Sequence, residues 1–261
     1  MTTDSFVDAP AVSLSALHRL VRIARDAGDA IMRCYDEDAE SWTKADGSPL
    51  TAADQAAHEI IVRALHDWAP EIPTVSEEGD IPPAAIRQGW RRFWLVDPLD
   101  GTKEFLKRNG EFTVNIALIE DREPVLGVVL APAINRCWYA GRGLGAWTDT
   151  VPAPARRIYS SSPGPAAALV VVESRSHPSE RLEQYLATIP VARRIQAGSS
   201  LKFCLVAEGA ADVYPRLGAT MEWDVAAGDC IFRNSGREGM RSSPLTYNKP
   251  DLRNGDFILG L

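Results

Sequence analysis

Four apolar segments of strand length succeed one another in the first half of this chain: FWLV (93–96), EFTVNIALI (111–119), PVLGVVLAP (124–132) and RCWYAG (136–141). They read as consecutive antiparallel strands, and no other feature restricts the fold as much. Phe93 to Val96 is hydrophobic throughout, which suits a strand buried on both faces. Asp97 sits where that strand emerges, Pro98 stops its ladder, and Gly101 permits a tight turn.

Around this sheet the periodicity changes. Leu14, Leu17, Val21, Ala24, Gly28 and Ile31 recur at helical spacing, and so do Ala53, Ala57, Ile61, Leu65 and Trp68, until Pro70 ends the second helix. KADGSPL (44–50) between them is turn chemistry, and IPTV (72–75) is a short strand leading to Ser76-Glu77-Glu78. RGLGAW (142–147) leads into TDT and a proline-rich stretch, so it is a turn and not a nucleotide-cradling glycine loop, which would have to open a helix. Residues 151–168, rich in Pro, Ala and Ser, read as a linker. Beyond it strands (LVVVES, 193–196, ADVYP) alternate with helices (178–187, 200–208, from about 224), implying layered sheet and helix. The expected organisation is an α+β half, 1–155, and an α/β half, 156–261, in one compact unit whose seam forms a cleft.

Composition excludes several classes. With 261 residues, 45% hydrophobic, the chain can bury a large core, and no apolar run approaches the roughly 20 residues of a membrane span. MTTDSFVDAP carries two aspartates and no basic residue, unlike a signal peptide. Cys34, Cys137, Cys204 and Cys230 lie far apart with no C-x-x-C pair, as expected of reduced thiols in the cytoplasm. His18, His58, His66 and His177 form no zinc spacing. Net charge is −7, and no Lys/Arg-rich tract exists to track a nucleic-acid backbone. An acidic protein still binds a small phosphate where metal ions invert the local potential.

Four acidic positions stand at element ends: Asp54, Glu77, the Asp97/Asp100 pair, and Asp224. Each has an ordinary explanation. Asp54 follows Thr51 by three residues, as in a capping box; Glu77 can be a solvated acid; Asp224 can cap a helix. Together they offer what a hard divalent cation requires, several oxygen ligands from carboxylates and a carbonyl. An Asp-x-x-Asp turn supplies one bridging carboxylate, the Leu99 carbonyl and a second carboxylate. Two cations about 3.5–4 Å apart would suit phosphoryl transfer.

SEE (76–78), WLVDPLDGTKEF (94–105) and WDVAAG (223–228) resemble the signature of the inositol monophosphatase superfamily. TKADGSPLTAAD (43–54), LDGTKEFLKRNGEFTVNIALI (99–119), SRSH (174–177) and GSSLKFCLVAEG (198–209) are similar to its bacterial 3′(2′),5′-bisphosphate nucleotidase branch. The resemblance runs from about residue 17 onward, though residues 232–261 match loosely and Asp229 stands where relatives often carry histidine. It implies an αβαβα sandwich of the sugar-phosphatase type. It also implies one Mg²⁺ on Glu77, Asp97 and the Leu99 carbonyl, a second on Asp97, Asp100 and Asp224, and room for a third, weaker one. Asp54 and Thr102 would position and deprotonate the attacking water. The substrate would lie against Glu77, Leu99, Asp100, Gly101, Thr102 and Asp224.

AGSSLKF (197–203) places two serines and a lysine at a helix start, where free N–H groups favour an anion; on the residues alone, an ordinary serine cap with a solvated lysine is the preferred reading. The resemblance favours Ser199, Ser200 and Lys202, with Arg216 and His177 behind them, as contacts to an uncleaved phosphate. The implied activity is hydrolysis of the 3′-phosphate of adenosine 3′,5′-bisphosphate to AMP, and of its sulfated precursor. The alternatives are an inositol or sugar monophosphatase and a catalytically silent phosphate-binding regulator. The implied partner is a small nucleotide; monomer and homodimer both remain open, as does peripheral contact with the inner membrane face.

Overall fold

A computed structural model describes residues 11–36, 41–43, 49–176 and 179–260. Helix α1 (Leu14–Asp36) is followed by a short antiparallel pair, β1 (Ser41–Thr43) and β2 (Pro49–Thr51), and by helix α2 (Ala52–Trp68). Then come β3 (Thr74–Ser76), α3 (Ala84–Arg87), β4 (Arg92–Asp100), α4 (Thr102–Leu106), β5 (Thr113–Glu120), β6 (Glu123–Ala131), β7 (Arg136–Gly141), β8 (Gly145–Thr150) and β9 (Ala153–Ile158). Strands β3 to β9 form one seven-stranded sheet in sequence order, antiparallel except for the parallel β3–β4 pair at one edge. The second half contributes β10 (Leu169–Ser174), α5 (Glu180–Leu186), β11 (Val191–Ala197), α6 (Leu201–Ala207), β12 (Tyr214–Arg216), β13 (Thr220–Met221), α7 (Glu222–Arg233), β14 (Arg253–Asn254) and β15 (Phe257–Leu259).

The alternation along β4 and β5 explains the layers. Trp94, Val96, Val114, Ile116 and Leu118 face α1 and α2, burying the apolar stripes of those helices. Phe93, Leu95, Ala117 and Ile119 face the other way, onto α6 and α7. Behind α6 and α7 lie the parallel β10–β11 pair and the β12–β15 pair, joined by a parallel bridge from Val171 to Val213. Leu182 and Leu186 of α5 close the outer face on Leu169 and Val171. The order is helix, sheet, helix, sheet, helix, the expected αβαβα sandwich. The close seating of α7 on β6 requires Gly127: a Cβ there would lie 2.8 Å from the Ala227 carbonyl oxygen and 2.6 Å from Cys230 Cβ.

Two local expectations are corrected. Pro98 does not stop the strand: β4 runs on to Asp100, with Asp97 opposite Asn115 and Asp100 opposite Thr113, and the ladder shifts register between them. Pro98 and Leu99 of β4 thus oppose the single residue Val114 of β5, and proline sits where its missing N–H costs nothing. The linker-like stretch 151–168 contains β9, whose ladder on β8 includes Ala146 opposite Ile158. Proline is tolerated because β9 is an edge strand, exposed except for Ile158. Residue 155 therefore lies within the sheet.

Candidate active site

The bulge at the end of β4 aims the carboxylates. Asp97 is buried on the α7 side of the sheet, and the Leu99 N–H donates to Asp97 Oδ1 at 3.1 Å. Gly101 then turns with φ 93°, a left-handed conformation where any other residue would be strained, and α4 starts at Thr102. Parallel pairing of β3 with β4 carries Glu77 alongside, its N–H donating to the Val96 carbonyl at 3.1 Å. Asp224 arrives from the other half, on the first turn of α7, where the Met221 N–H donates to its Oδ2 at 2.8 Å.

Glu77, Asp97 and Asp224 each present a carboxylate oxygen within 4.8 Å of the others. Asp100 lines the same cleft, but its Oδ2 accepts from the Ser199 hydroxyl at 2.8 Å and from Asn115 Nδ2 at 3.5 Å. The three-residue cluster thus draws one acid from each side of the expected two-cation division. Burial, then Glu77, Asp100, Asp224 and Asp54, push the Asp97 carboxyl well above the usual range. Burial and then Asp100 do the same to Asp224. Burial raises Asp100 too, opposed by Lys202 and by the Ser199 and Asn115 hydrogen bonds. Several acids that penalise each other's ionisation, presenting hard oxygen donors and, among the described residues, no thiol or imidazole, fit a hard divalent cation.

Asp54 forms the expected capping box on α2. The Thr51 N–H and hydroxyl donate to its Oδ2 at 2.8 and 2.5 Å. Its other oxygen, Oδ1, accepts from the Thr102 hydroxyl at 3.4 Å, and that hydroxyl also lies 3.5 Å from the Leu99 carbonyl. Capping and a place at the site are therefore compatible.

Ser199, Ser200 and Lys202 line the cleft together with Asp100 and Arg216, while the ordinary serine cap with a solvated lysine does not form. Ser200 precedes α6 in an αR conformation without capping it; its hydroxyl donates to the Asp224 carbonyl at 2.6 Å. Ser199, at φ 52°, turns its hydroxyl to Asp100. Lys202 is not solvated: it is buried, donates to the Ala197 carbonyl at 3.4 Å and to the Ser199 carbonyl, and lies 5.6 Å from the centre of the Tyr214 ring. Burial lowers its pKa to about 8, with Asp100 pulling the other way. Arg216 lines the cleft, donates through Nη2 to the Ala219 carbonyl at 3.0 Å, and has a buried Nε without a hydrogen-bond partner among the described residues. His177 lies outside the described residues. Asn115 and Thr113 were missed; the available signal was two polar residues, two positions apart, inside an otherwise apolar strand.

Comparison with known proteins bears on the family and the fold. The inositol monophosphatase family model matches residues 14–257. The 3′(2′),5′-bisphosphate nucleotidase CysQ of Salmonella typhimurium is 51% identical over 217 residues, covering 82% of this chain and 86% of that one. The protein of the same name from Escherichia coli K12 is 47% identical over 88% of this chain and 93% of its own. Among solved structures, CysQ from Bacteroides thetaiotaomicron superposes with a TM-score of 0.78 at 40% identity, over 94% of this chain and 96% of that one. A Thermotoga maritima IMPase shares the fold, with a TM-score of 0.75 at 24% identity over 94% and 91%. With this layering and with sequence similarity over nearly its whole length, this chain belongs to the inositol monophosphatase family.

Proposed function

We propose that the protein is a Mg²⁺-dependent phosphatase that removes the 3′-phosphate of adenosine 3′,5′-bisphosphate to give AMP, and acts likewise on its sulfated precursor. The convergence of Glu77, Asp97 and Asp224 within 4.8 Å, beside the Asp54–Thr102 contact, carries the reading. The names of the relatives that match nearly the whole chain support the substrate class.

Glu77, Asp97, Asp100, Asp224 and the Leu99 carbonyl would hold two Mg²⁺ ions, with a weaker third site nearby. Bound there, Mg²⁺ supplies an acidified water and charge neutralisation of the phosphate. The chain's own residues do the rest. Thr102 accepts a hydrogen bond from the attacking water through its hydroxyl oxygen while donating to Asp54, so the water's proton has a path to a carboxylate. Asp54 is held for this by the Thr51 cap, which fixes its side chain before substrate arrives. Asp97 and Asp224, brought from the two halves, would be among the residues that hold the cations against the reacting phosphate. The halves 1–155 and 156–261 therefore act as one catalytic unit, the second bringing Asp224 and the nucleotide pocket.

Arg216 is the better candidate for the uncleaved phosphate, because it lines the cleft and its buried Nε has no hydrogen-bond partner among the described residues. Lys202 is engaged with the carbonyls of its own loop and would act by shaping that loop. The test compares adenosine 3′,5′-bisphosphate, its sulfated precursor and inositol 1-phosphate as substrates, with Mg²⁺ and with chelator. Equal kcat/KM for the bisphosphate and inositol 1-phosphate would refute the nucleotide assignment, and full activity in chelator would refute the metal.

A further inference from the structure

Asn115 is 1% exposed on β5, on the sheet face that looks toward α6 and α7. Its Nδ2 donates to Ser200 Oγ at 3.1 Å and lies 3.5 Å from Asp100 Oδ2, while its Oδ1 accepts from the Thr113 hydroxyl at 3.0 Å. Only one orientation of the amide serves these partners. Ser200 spends its own proton on the Asp224 carbonyl, so its oxygen takes its donor from Asn115, and an ionised Asp100, which can only accept, gains from Asn115 a second donor beside the Ser199 hydroxyl. The amide nitrogen carries two protons and meets both. An apolar residue would leave the Ser200 oxygen without a donor and Asp100 with Ser199 alone, in a buried setting where an unmet hydrogen bond is costly.

The consequence is a link between elements from the two halves. Through Asp100, Asn115 reaches the end of β4; through Ser200, it reaches the main chain of α7 at Asp224. We infer that Asn115 is a positioning residue that holds Asp100 and the start of α7 in the mutual arrangement a divalent cation needs. This rests on the metal reading proposed above. Ligand-orienting hydrogen bonds of this kind are worth about 10- to 100-fold in cation affinity.

The test is calorimetric titration of Mn²⁺ into metal-free wild-type protein, Asn115→Ala, Asn115→Leu and Asn234→Ala, with thermal unfolding of each in chelator. Asn234→Ala is the control: it removes a buried amide at the far end of α7, bonded to the Cys230 carbonyl and the Gly143 N–H. The leucine variant fills the volume that alanine vacates, so one of the two folds even if the other is too loose. The expected result is Mn²⁺ affinity lowered about 10- to 100-fold in either Asn115 variant and unchanged in Asn234→Ala, whatever the unfolding temperatures. Wild-type affinity in a folded Asn115 variant, or an equal loss in Asn234→Ala, overturns the inference while leaving the metal reading standing. No Mn²⁺ binding by wild-type protein would overturn both.

Discussion

Asp54 and Thr102 meet across the cleft with the Thr102 hydroxyl 3.4 Å from Asp54 Oδ1, while Asp54 Oδ2 is already committed to the start of α2. One carboxylate thus anchors a helix through one oxygen and presents the other to the site. Its aim is set by secondary structure, so little side-chain entropy remains to be lost when the site is engaged.

Asp54→Asn and Thr102→Ala should lower kcat by about 10²- to 10⁴-fold with KM changed only a few-fold, since the pair is proposed to act on the water. Thr102→Ser should keep most of the activity. Asparagine can still accept the Thr51 N–H, so Asp54→Asn should cost no more than about 1 kcal/mol of stability. Steady-state kinetics with thermal unfolding checks both halves of this; a large rise in KM at unchanged kcat contradicts it.

Asp97→Asn should abolish Mg²⁺-dependent turnover yet raise the unfolding temperature of the metal-free protein. Asp97 is buried beside Glu77, Asp100 and Asp224, and removing its charge relieves that repulsion. With saturating Mg²⁺ the order should reverse, because only the wild-type protein gains stability by binding. Unfolding temperatures measured in chelator and in Mg²⁺ decide it.

Arg216→Ala should reduce kcat/KM for adenosine 3′,5′-bisphosphate by about ten- to a hundredfold, the worth of one charge-assisted hydrogen bond of roughly 1.5–3 kcal/mol. Inositol 1-phosphate, which has no second phosphate, should be hydrolysed almost as before. Lys202→Ala should instead harm both substrates, because it frees the Ala197 and Ser199 carbonyls and loosens the loop that touches Asp100. Losses confined to the bisphosphate in Lys202→Ala would restore lysine as the direct contact.

The pH dependence of stability should expose Lys202 directly. Its folded-state pKa of about 8 lies below that of an unfolded lysine, about 10.4. The folded protein therefore loses stability from this group as pH falls from about 10 toward 8, and nothing further below. Lys202→Met should gain on wild type over that interval when both are unfolded thermally in chelator. A difference in unfolding temperature that does not vary with pH would show that the ammonium is well solvated.

Gly127→Ala should destabilise by about 1–3 kcal/mol, because the added carbon meets the Ala227 main chain and the rigid stem of Cys230. The cheapest relief is to lift α7 from β6, which displaces Asp224. Weaker Mn²⁺ binding should accompany the lower stability, and titration of the purified variant measures it.

How much of this was legible in advance follows from range. The meander of β4 to β7 was legible because apolar runs and their turns are local, and so were α1 and α2 through their 3.6-residue stripes. β9 was not: an edge strand buries little, so its composition resembled a linker. Pro98 was read as a stop because a proline usually breaks a ladder, and only its neighbour strand shows that a bulge absorbs it.

The identities of the acids, the capping box at Thr51 and Asp54, and the family to which the chain belongs were determined by the sequence itself, because each depends on residue types at fixed short spacing. Which acids meet was decided by the tertiary structure. Glu77 joins Asp97 through parallel pairing of β3 and β4, and Asp224 reaches them from a helix more than a hundred residues away, seated on β6 over Gly127. The same holds for Ser199, Ser200 and Lys202: local spacing suggested a helix start open to an anion. Packing against β5 instead turned both hydroxyls toward Asp100 and Asp224 and buried the ammonium, because unmet polar groups under the sheet had to find partners there.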